Sequence, residues 1–465
     1  MRYLKTKNAI PLLVLSILFL RAFLNAVIPF MDKTEARYAE IARIMAETNE
    51  WIIPQIDYGV PFWAKPPLST WLSAISISLF GASEFFVRFP SLLVSIIIIY
   101  LVGKYAKREN LSFFLPGLIL LTIPEFVLHT GVVSTDVSLS FCIILVMLSF
   151  WETLRENSKK YWKYLFFVGL GFGLLAKGPI VFILTFPPLF LWTILFKKHI
   201  IVWKKFPWII GIFIVGFVSI PWYILAEKES EGFINYFIVG EHFKRFFDAS
   251  WSGDKYGFPK IQPLGIVWVF LLLFTIPWCF SLLDKLWKQK KQLIKNPWIS
   301  FLFLWFIWTP IFFTVSKSLI HPYILPVMVP FALLITHWWS TIKFKETQLI
   351  IGFLIPFLAI IVFIYSKSTN QFEFYIKSDK YLLENNSKET PLFYLNDKTY
   401  SSQFYSQGKI KQISFKDVQK KIKTKESFQA IIEHKDTLKL EPNLFSKLEL
   451  KSTNKNKGFY TFNHK

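Results

Sequence analysis

Apolar runs of about twenty residues recur from Ala9 to Ser366, each close to the length a helix needs to cross the hydrocarbon of a bilayer. In hydrocarbon, backbone polar groups must be satisfied within the segment itself. Repeated runs of this kind therefore commit a chain to a bundle of membrane helices. The runs lie at roughly 9–28, 84–103, 112–129, 136–153, 163–178, 180–196, 207–226, 263–283, 297–315, 322–340 and 347–366. The first follows Arg2, Lys5 and Lys7, is too long for a signal-peptide core and lacks a small-residue cleavage site, so it is expected to remain as an anchor.

Charge orients the bundle. One set of loops carries Lys104, Lys107 and Arg108, then Arg155, Lys159, Lys160 and Lys163, then Lys197, Lys198, Lys204 and Lys205. Lys285, Lys288, Lys290, Lys291 and Lys295, followed by Lys343 and Lys345, complete it. These loops have few acids and are expected on the cytoplasmic side with the N-terminus. The segments 29–67, 130–135, 227–262, 316–321 and everything after 367 then face outward. This parity holds only if the apolar piece 68–81 does not cross. At about 14 residues it suits an interfacial or re-entrant helix. The expectation is a polytopic α-helical membrane protein with about eleven spans and a large first outward loop. A net charge of +22 could serve nucleic acid, but most of the lysines flank spans. The lipid bilayer is the expected partner, and nucleic acid is not.

Residues 1–366 read as the membrane domain. Residues 367–465 are polar and lysine-rich, with a β-like run at Leu392–Leu395 and a helix-like stretch at 415–432, and read as a small outward-facing α/β domain. Cys142 and Cys279 both fall in apolar runs, which argues against a disulfide framework or a thiolate metal site. No internal repeat is visible, which counts against inverted-repeat transporters.

Polar chemistry concentrates in the outward segments. The first spends more than thirty residues where a few would turn the chain, a sign of a functional loop. Residues 33–48 read as an amphipathic helix whose Glu40, Arg43 and Glu47 form a solvated face. Glu35 instead shares a face with Ala39, Ala42 and Ala46. Asp32 and Glu35 have the spacing of a capping box, and a chemical role for either is compatible with that. Lys65 precedes Pro66-Pro67 where the loop returns to the membrane. It can snorkel, bind a lipid phosphate or act on a substrate. Asp136 follows Ser134-Thr135 at the outer start of a span, where an acid also suits the helix dipole. Lys177 stands at Lys177-Gly178-Pro179, a break between spans at the outer face. In 227–262 the run Glu241-His242-Phe243-Lys244-Arg245-Phe246 groups an acid, an imidazole and cations that suit a phosphate or a metal. Lys317 and His321-Pro322-Tyr323 lie at the outer end of a later span. All of these fall on one side by a topology assigned from other residues.

An ordered set of motifs runs through the same positions. Thr34-Glu35-Ala36-Arg37-Tyr38-Ala39-Glu40 comes first, then Lys65-Pro66-Pro67-Leu68 with Trp71, then Phe80-Gly81 with Glu84 and Arg88. Thr135-Asp136, Ala176-Lys177-Gly178-Pro179 and Pro221-Trp222-Tyr223 follow. Glu241-His242-Phe243 with Arg245-Phe246, and Pro322-Tyr323 with Leu325-Pro326, complete the set. Over about residues 8–340 the chain resembles the bacterial GT-C-fold glycosyltransferases. These include the aminoarabinose lipid A transferases and are related to the protein O-mannosyltransferases.

The resemblance implies transfer of a sugar, pentose or hexose, from a polyprenyl-phosphate carrier to an outward-facing acceptor. That acceptor would be lipid A, another glycolipid, an envelope glycan or a protein. It also implies inversion by single displacement, and a multi-pass protein of a bacterial inner membrane whose active site faces the periplasm or exterior. A departing phosphate needs cations more than it needs a general acid, and Lys65, Arg245, Lys317 and Lys177 supply them. An acceptor needs a carboxylate, for which Glu35, Asp32 and Asp136 are the candidates. Arg37, Tyr38, Glu241 and Tyr323 are the expected substrate-binding groups. The family also brings a divalent metal ion, with His242 as its ligand here. Two departures stand out. Many relatives have Asp-Glu where this chain has Thr34-Glu35, and Glu before Lys-Pro-Pro where this chain has Ala64. In the aminoarabinose branch that Glu helps hold the metal. A lipid or glycolipid flippase is the competing class, and it would need polar groups deep within the spans.

Overall fold

The computed structural model describes residues 9–247, 251, 253, 255, 256 and 262–463, so Arg2, Lys5 and Lys7 lie outside the described residues. The chain divides into two compact units. One comprises residues up to Ala26 and Met45–Ile355; the other comprises Val27–Ile44 and Pro356–Lys465.

The first unit is helical and apolar. Ala9–Val27, Glu84–Arg108, Thr135–Leu154, Trp208–Glu229 and Lys345–Ser368 (which runs on into the second unit) are each long and apolar enough to cross a membrane. Ile266–Phe274 and Trp278–Lys288 together make a further candidate bent by 110°. Leu68–Phe80, Ile180–Leu195, Pro297–Phe313 and His321–His337 are shorter apolar helices. Along Trp208–Glu229 the large side chains of Ile209, Ile212, Phe213, Phe217 and Ile220 recur at helical spacing and are exposed, the pattern of a lipid-facing stripe.

Besides the bent 263–283, two more expected runs are broken. The run at 112–129 is split into Leu115–Leu121 and Pro124–His129. Thr122 Oγ1 turns back to the carbonyls of Leu118 and Ile119 at 3.0 and 2.9 Å, and Pro124 has no N–H with which to continue the first helix. The expected 322–340 opens as a 3₁₀ turn, His321–Val327, and becomes α-helical only at Met328.

Leu68–Phe80 is short, as expected of the piece assigned to the interface, and folds back on the next helix. Ser73 Oγ donates to the carbonyl of Val87 at 3.0 Å and Ser76 Oγ to that of Phe86 at 2.5 Å. Side-chain caps fix where two of the helices begin. Ser83 accepts from the Phe86 amide, and Asn296 accepts from the amides of Trp298 and Ile299. At the far end of Glu84–Arg108, Arg108 grips Glu152 through two bonds of 2.6 and 3.0 Å. Glycines allow the closest helix contacts. A Cβ at Gly169 would lie 2.9 Å from the Val146 side chain.

The second unit carries a five-stranded mixed sheet. Its strands, counted after the small hairpin β1 (Gln55–Asp57) and β2 (Val60–Pro61) of the first unit, are β3 (Leu392–Leu395), β4 (Lys411–Ile413), β5 (Phe428–Glu433), β6 (Glu449–Thr453) and β7 (Lys457–Phe462). The order is β4-β3-β5-β7-β6, with β3 parallel to β4 and β5, and β7 antiparallel to β5 and β6. The helix-like stretch expected at 415–432 ends early. Phe415–Lys423 is a helix capped by Ser414, the chain reverses with Lys425 at φ +63°, and the apolar run from Phe428 becomes the buried central strand.

Residues 27–44 belong to this unit by their contacts. Phe30 meets the ring of Phe404 edge-on at 4.8 Å and its amide donates to the Tyr405 hydroxyl at 2.8 Å. Asp32 does not cap the helix Thr34–Thr48. Its carboxylate accepts from the Ser401 amide at 2.9 Å and from the Ser401 hydroxyl. The solvated face expected for Glu40 and Arg43 is also corrected. Both are buried, and Arg43 pairs with Glu40 through bonds of 2.7 and 2.8 Å. Glu47 alone of the three is exposed, and it accepts from Tyr58.

Candidate active site

Four elements of the helical unit bring charged groups to one cavity. Thr135–Leu154 begins with Ser134 as its N-cap, whose Oγ accepts from the Asp136 amide at 3.1 Å and donates to Asp136 Oδ2 at 3.2 Å. The cap thus sets the rotamer of Asp136 in the first turn. Trp162–Lys177 ends at Gly178, whose φ of +79° an L side chain rarely adopts. This ending directs Lys177 at Asp136, to whose Oδ1 its ammonium donates, and the same ammonium lies 4.2 Å over the Tyr323 ring.

The third element is a π-helical stretch, Asn235–Lys244, a form that recurs at functional sites. It carries Glu241 and His242, and Arg245 follows. Glu241 is gripped from two sides: Lys65 Nζ lies 2.8 Å away, and Arg245 reaches both carboxylate oxygens at 3.1 and 3.0 Å. The fourth element is the loop ending at Pro66-Pro67, which sets Lys65 at the mouth of Leu68–Phe80. Burial opposes ionisation of Glu241, but Lys65 and Arg245 outweigh it and hold the group below the usual carboxylate range.

His242 stands behind these groups. Its Nδ1 lies 2.9 Å from the Phe237 carbonyl and its Nε2 3.0 Å from the Lys177 carbonyl. Burial pushes the imidazole below its usual value. Both ring nitrogens thus face backbone acceptors, Ala64 offers no ligand, and Glu241 faces two cations. These residues do not fit a metal ion at His242, whose ring instead lies against the end of the helix that carries Lys177.

The cavity has a volume of about 90 Å³. Lys65, Lys177 and Arg245 against Asp136 and Glu241 leave its polar end with one positive charge in excess. Leu139, Ile180, Leu184, Phe246, Phe313 and Pro326 form an apolar wall beside it. Such a lining suits an anionic head group joined to an apolar chain.

Of the residues singled out from sequence, Asp136, Lys65, Lys177, Glu241, His242, Arg245 and Tyr323 converge here. Lys317 is exposed and does not line the cavity, although its neighbours Ser316 and Ser318 do. Asp32, Glu35, Arg37 and Tyr38 belong to the second unit. Glu35 and Tyr38 are buried there, and the Arg37 guanidinium lies 5.5 Å from the Tyr38 ring centre. Burial and the Asp379 carboxylate push Asp32 up to about 6, against the bonds from Ser401.

Sequence reading missed Ser134 as the positioning group for Asp136. It also missed the pair Glu125 and His129, four residues apart on one helix face within an otherwise apolar run, and that spacing was the available signal.

Comparison with known proteins reaches part of this site, since the family match ends before Glu241. Residues 10–237 match the family model described as dolichyl-phosphate-mannose-protein mannosyltransferase. Over 316 residues, 64% of this chain, the sequence is 29% identical to the undecaprenyl phosphate-alpha-4-amino-4-deoxy-L-arabinose arabinosyl transferase of Yersinia pestis, covering 53% of that protein. A Pseudomonas fluorescens enzyme of the same description is 27% identical over 314 residues, 65% of this chain and 54% of its own. The chain thus spans about half the length of the curated relatives it matches. In fold it is similar to the crystal structure of ArnT from Cupriavidus metallidurans bound to undecaprenyl phosphate, with a TM-score of 0.75, 16% identity and 98% of each chain covered.

Proposed function

We propose that this chain, which has the GT-C fold and is similar in sequence to the lipid-linked-sugar glycosyltransferases, moves a sugar from a polyprenyl-phosphate carrier to an acceptor outside a bacterial inner membrane. The observation that carries the reading is the cavity where three cations and two carboxylates meet an apolar wall. The carrier's phosphate answers the cations and its prenyl chain answers the wall.

In the reaction the acceptor oxygen attacks the sugar's anomeric carbon while the bond from that carbon to the phosphate oxygen breaks. The electron pair leaves with the phosphate, and Lys65, Arg245 and Lys177 stabilise the growing negative charge. As the phosphate draws the Lys177 ammonium, a carboxylate oxygen of Asp136 becomes available for the acceptor's proton. A single displacement of this kind inverts the anomeric carbon. Tyr323 and Glu241 hold the sugar and the cations in register. Glu35 remains a second candidate base, and Asp32, Arg37, Tyr38 and Lys317 remain candidates from the resemblance.

Around this site we place about eleven spans, with 367–465 outside the membrane and the cavity opening to the periplasm. The donor is a pentosyl or hexosyl carrier. The relatives' names put an arabinosyl donor first to be tried, and Ala64 and Thr34 set this chain apart from that branch.

The test is mass spectrometry of lipid A and other envelope glycans from cells lacking the protein, rescued with wild type, Asp136→Asn or Lys65→Ala at matched expression. One sugar-sized mass is expected to return with wild type and to fall by about 100-fold or more with either variant. The mass then separates pentose, hexose and amino sugars. Equal rescue by all three, or an unchanged set of glycans and glycoproteins, overturns the reading.

A further inference from the structure

A second polar cluster lies in the helical unit, on residues that do not line the charged cavity. Glu125 and His129 sit one turn apart on Pro124–His129, and His321 opens the 3₁₀ turn two residues before Tyr323. Glu125 is fully buried and His129 nearly so, while the His321 side chain is 34% exposed. A buried carboxylate facing two imidazoles, with neither lysine nor arginine on it among the described residues, is an unusual sink of polar groups in an apolar bundle.

The distances have a definite pattern. Glu125 Oε1 lies 3.2 Å from His129 Nδ1 and 3.3 Å from His321 Nδ1, and Oε2 lies 2.9 Å from His321 Nδ1. One ligand atom from each of the three residues falls within 4.8 Å of the other two. Ligands bound at 2.0–2.1 Å to a tetrahedral ion stand ~3.3 Å apart along each edge, so the Oε1 spacings match two such edges. The His321 ring is held by stacking on Phe274 at 4.6 Å and 8°. His129 Nδ1 also lies 2.9 Å from the Glu125 carbonyl, a bond that coordination through that nitrogen would replace.

We infer that Glu125, His129 and His321 form a binding site for a divalent transition-metal ion such as Zn²⁺. Two imidazoles and a carboxylate give three protein ligands, and a water would complete the tetrahedron, the pattern of an open zinc site. One carboxylate and two neutral rings leave the ion one positive charge in excess, which neutral imidazole with water accommodates more readily than hard oxygen-seeking ions such as Mg²⁺ require. The site ties Pro124–His129 to the segment that carries Tyr323. It stands whether or not the transferase reading does.

The experiment uses the full chain purified in detergent, stripped with a chelator and titrated with Co²⁺ or Zn²⁺, with bound metal read by mass spectrometry and by the tetrahedral Co²⁺ absorption band. Wild type is expected to retain one ion per chain. His321→Ala and the near-isosteric Glu125→Gln are expected to bind about tenfold more weakly or worse while eluting as wild type on size exclusion. His242→Ala is expected to bind as wild type does. Failure of wild type to take up metal, or equal uptake by the Glu125→Gln variant, shows a purely hydrogen-bonded triad and overturns the inference. Loss of metal in His242→Ala with retention in His321→Ala moves the ion to the charged cavity and overturns it equally.

Discussion

Asp136 and Glu241 are buried carboxylates, and taking either out of water costs several kcal/mol unless the charge is matched. Lys177 matches the first, and Lys65 with Arg245 matches the second. A hydrophobic replacement would often be neutral or stabilising, so the pairs are not explained by stability alone, and on the proposed function they would serve as a preorganised anion site. Asp32 shows the opposite balance. Its carboxylate is pushed from 3.8 up to about 6 by burial and by Asp379, so between those values the folded state holds the proton that the unfolded chain has lost. The stability it contributes is complete below about 4 and is lost as pH rises through about 6. Hydrogen exchange over 399–405, corrected for the intrinsic rate, is expected to show protection falling across that window in wild type and staying flat in Asp32→Asn. Parallel profiles for the two would remove Asp32 as the titrating group.

At the scale of elements, the site depends on where helices stop. Trp162–Lys177 ends one residue before a left-handed glycine, and a Cβ at Gly178 would lie 2.8 Å from the Phe237 ring and 3.0 Å from His242. Gly178→Ala is therefore expected to cost about 1–3 kcal/mol and to shift Lys177 away from Asp136. Transfer should fall more than thermal stability does, and the ratio of the two is the measurement; an unchanged rate would mean that the helix end is not part of the site. The motif Lys177-Gly178-Pro179 marked this break in advance, because glycine and proline punctuate a helix for reasons local to the chain. The division of 112–129 carries the same kind of signal in Pro124, but the apolar residues on either side of it together have the length of one span, and that length hid the break made by the back-bonding of Thr122 and the missing amide of Pro124. For the same reason Glu125 and His129 were absorbed into a span. Their partner His321 is almost two hundred residues away, and no local pattern joins them. Glu40 and Arg43 misled in a related way, since helical spacing identifies a shared face but not whether that face meets water or another part of the fold.

At the scale of the whole molecule, composition speaks clearly about lipid and less clearly about the path of the chain through it. In the polar C-terminal stretch β3 is legible as the short apolar run Leu392–Leu395, whereas β5 begins inside the stretch expected to be helical, and only its burial in the sheet marks it as a strand. The orientation rests on the lysine-rich loops, and a single assignment decides it: whether 68–81 crosses. Leu68–Phe80 has 13 residues, about 20 Å at the helical rise, against a hydrocarbon core of about 30 Å, and its serines are committed to the neighbouring helix. A thiol placed at Lys159 and one placed at Lys411 report on that assignment, since both lysines are exposed and the native Cys142 and Cys279 are buried. In spheroplasts, an impermeant maleimide is expected to label Lys411→Cys directly and Lys159→Cys only after the membrane is opened. If 68–81 crosses while the N-terminus stays inside, both labels exchange sides. The cavity of Asp136 and Lys177 would then face the cytoplasm, away from any acceptor on the outer leaflet, so the labelling pattern bears on the proposed chemistry as directly as a substitution within the cavity.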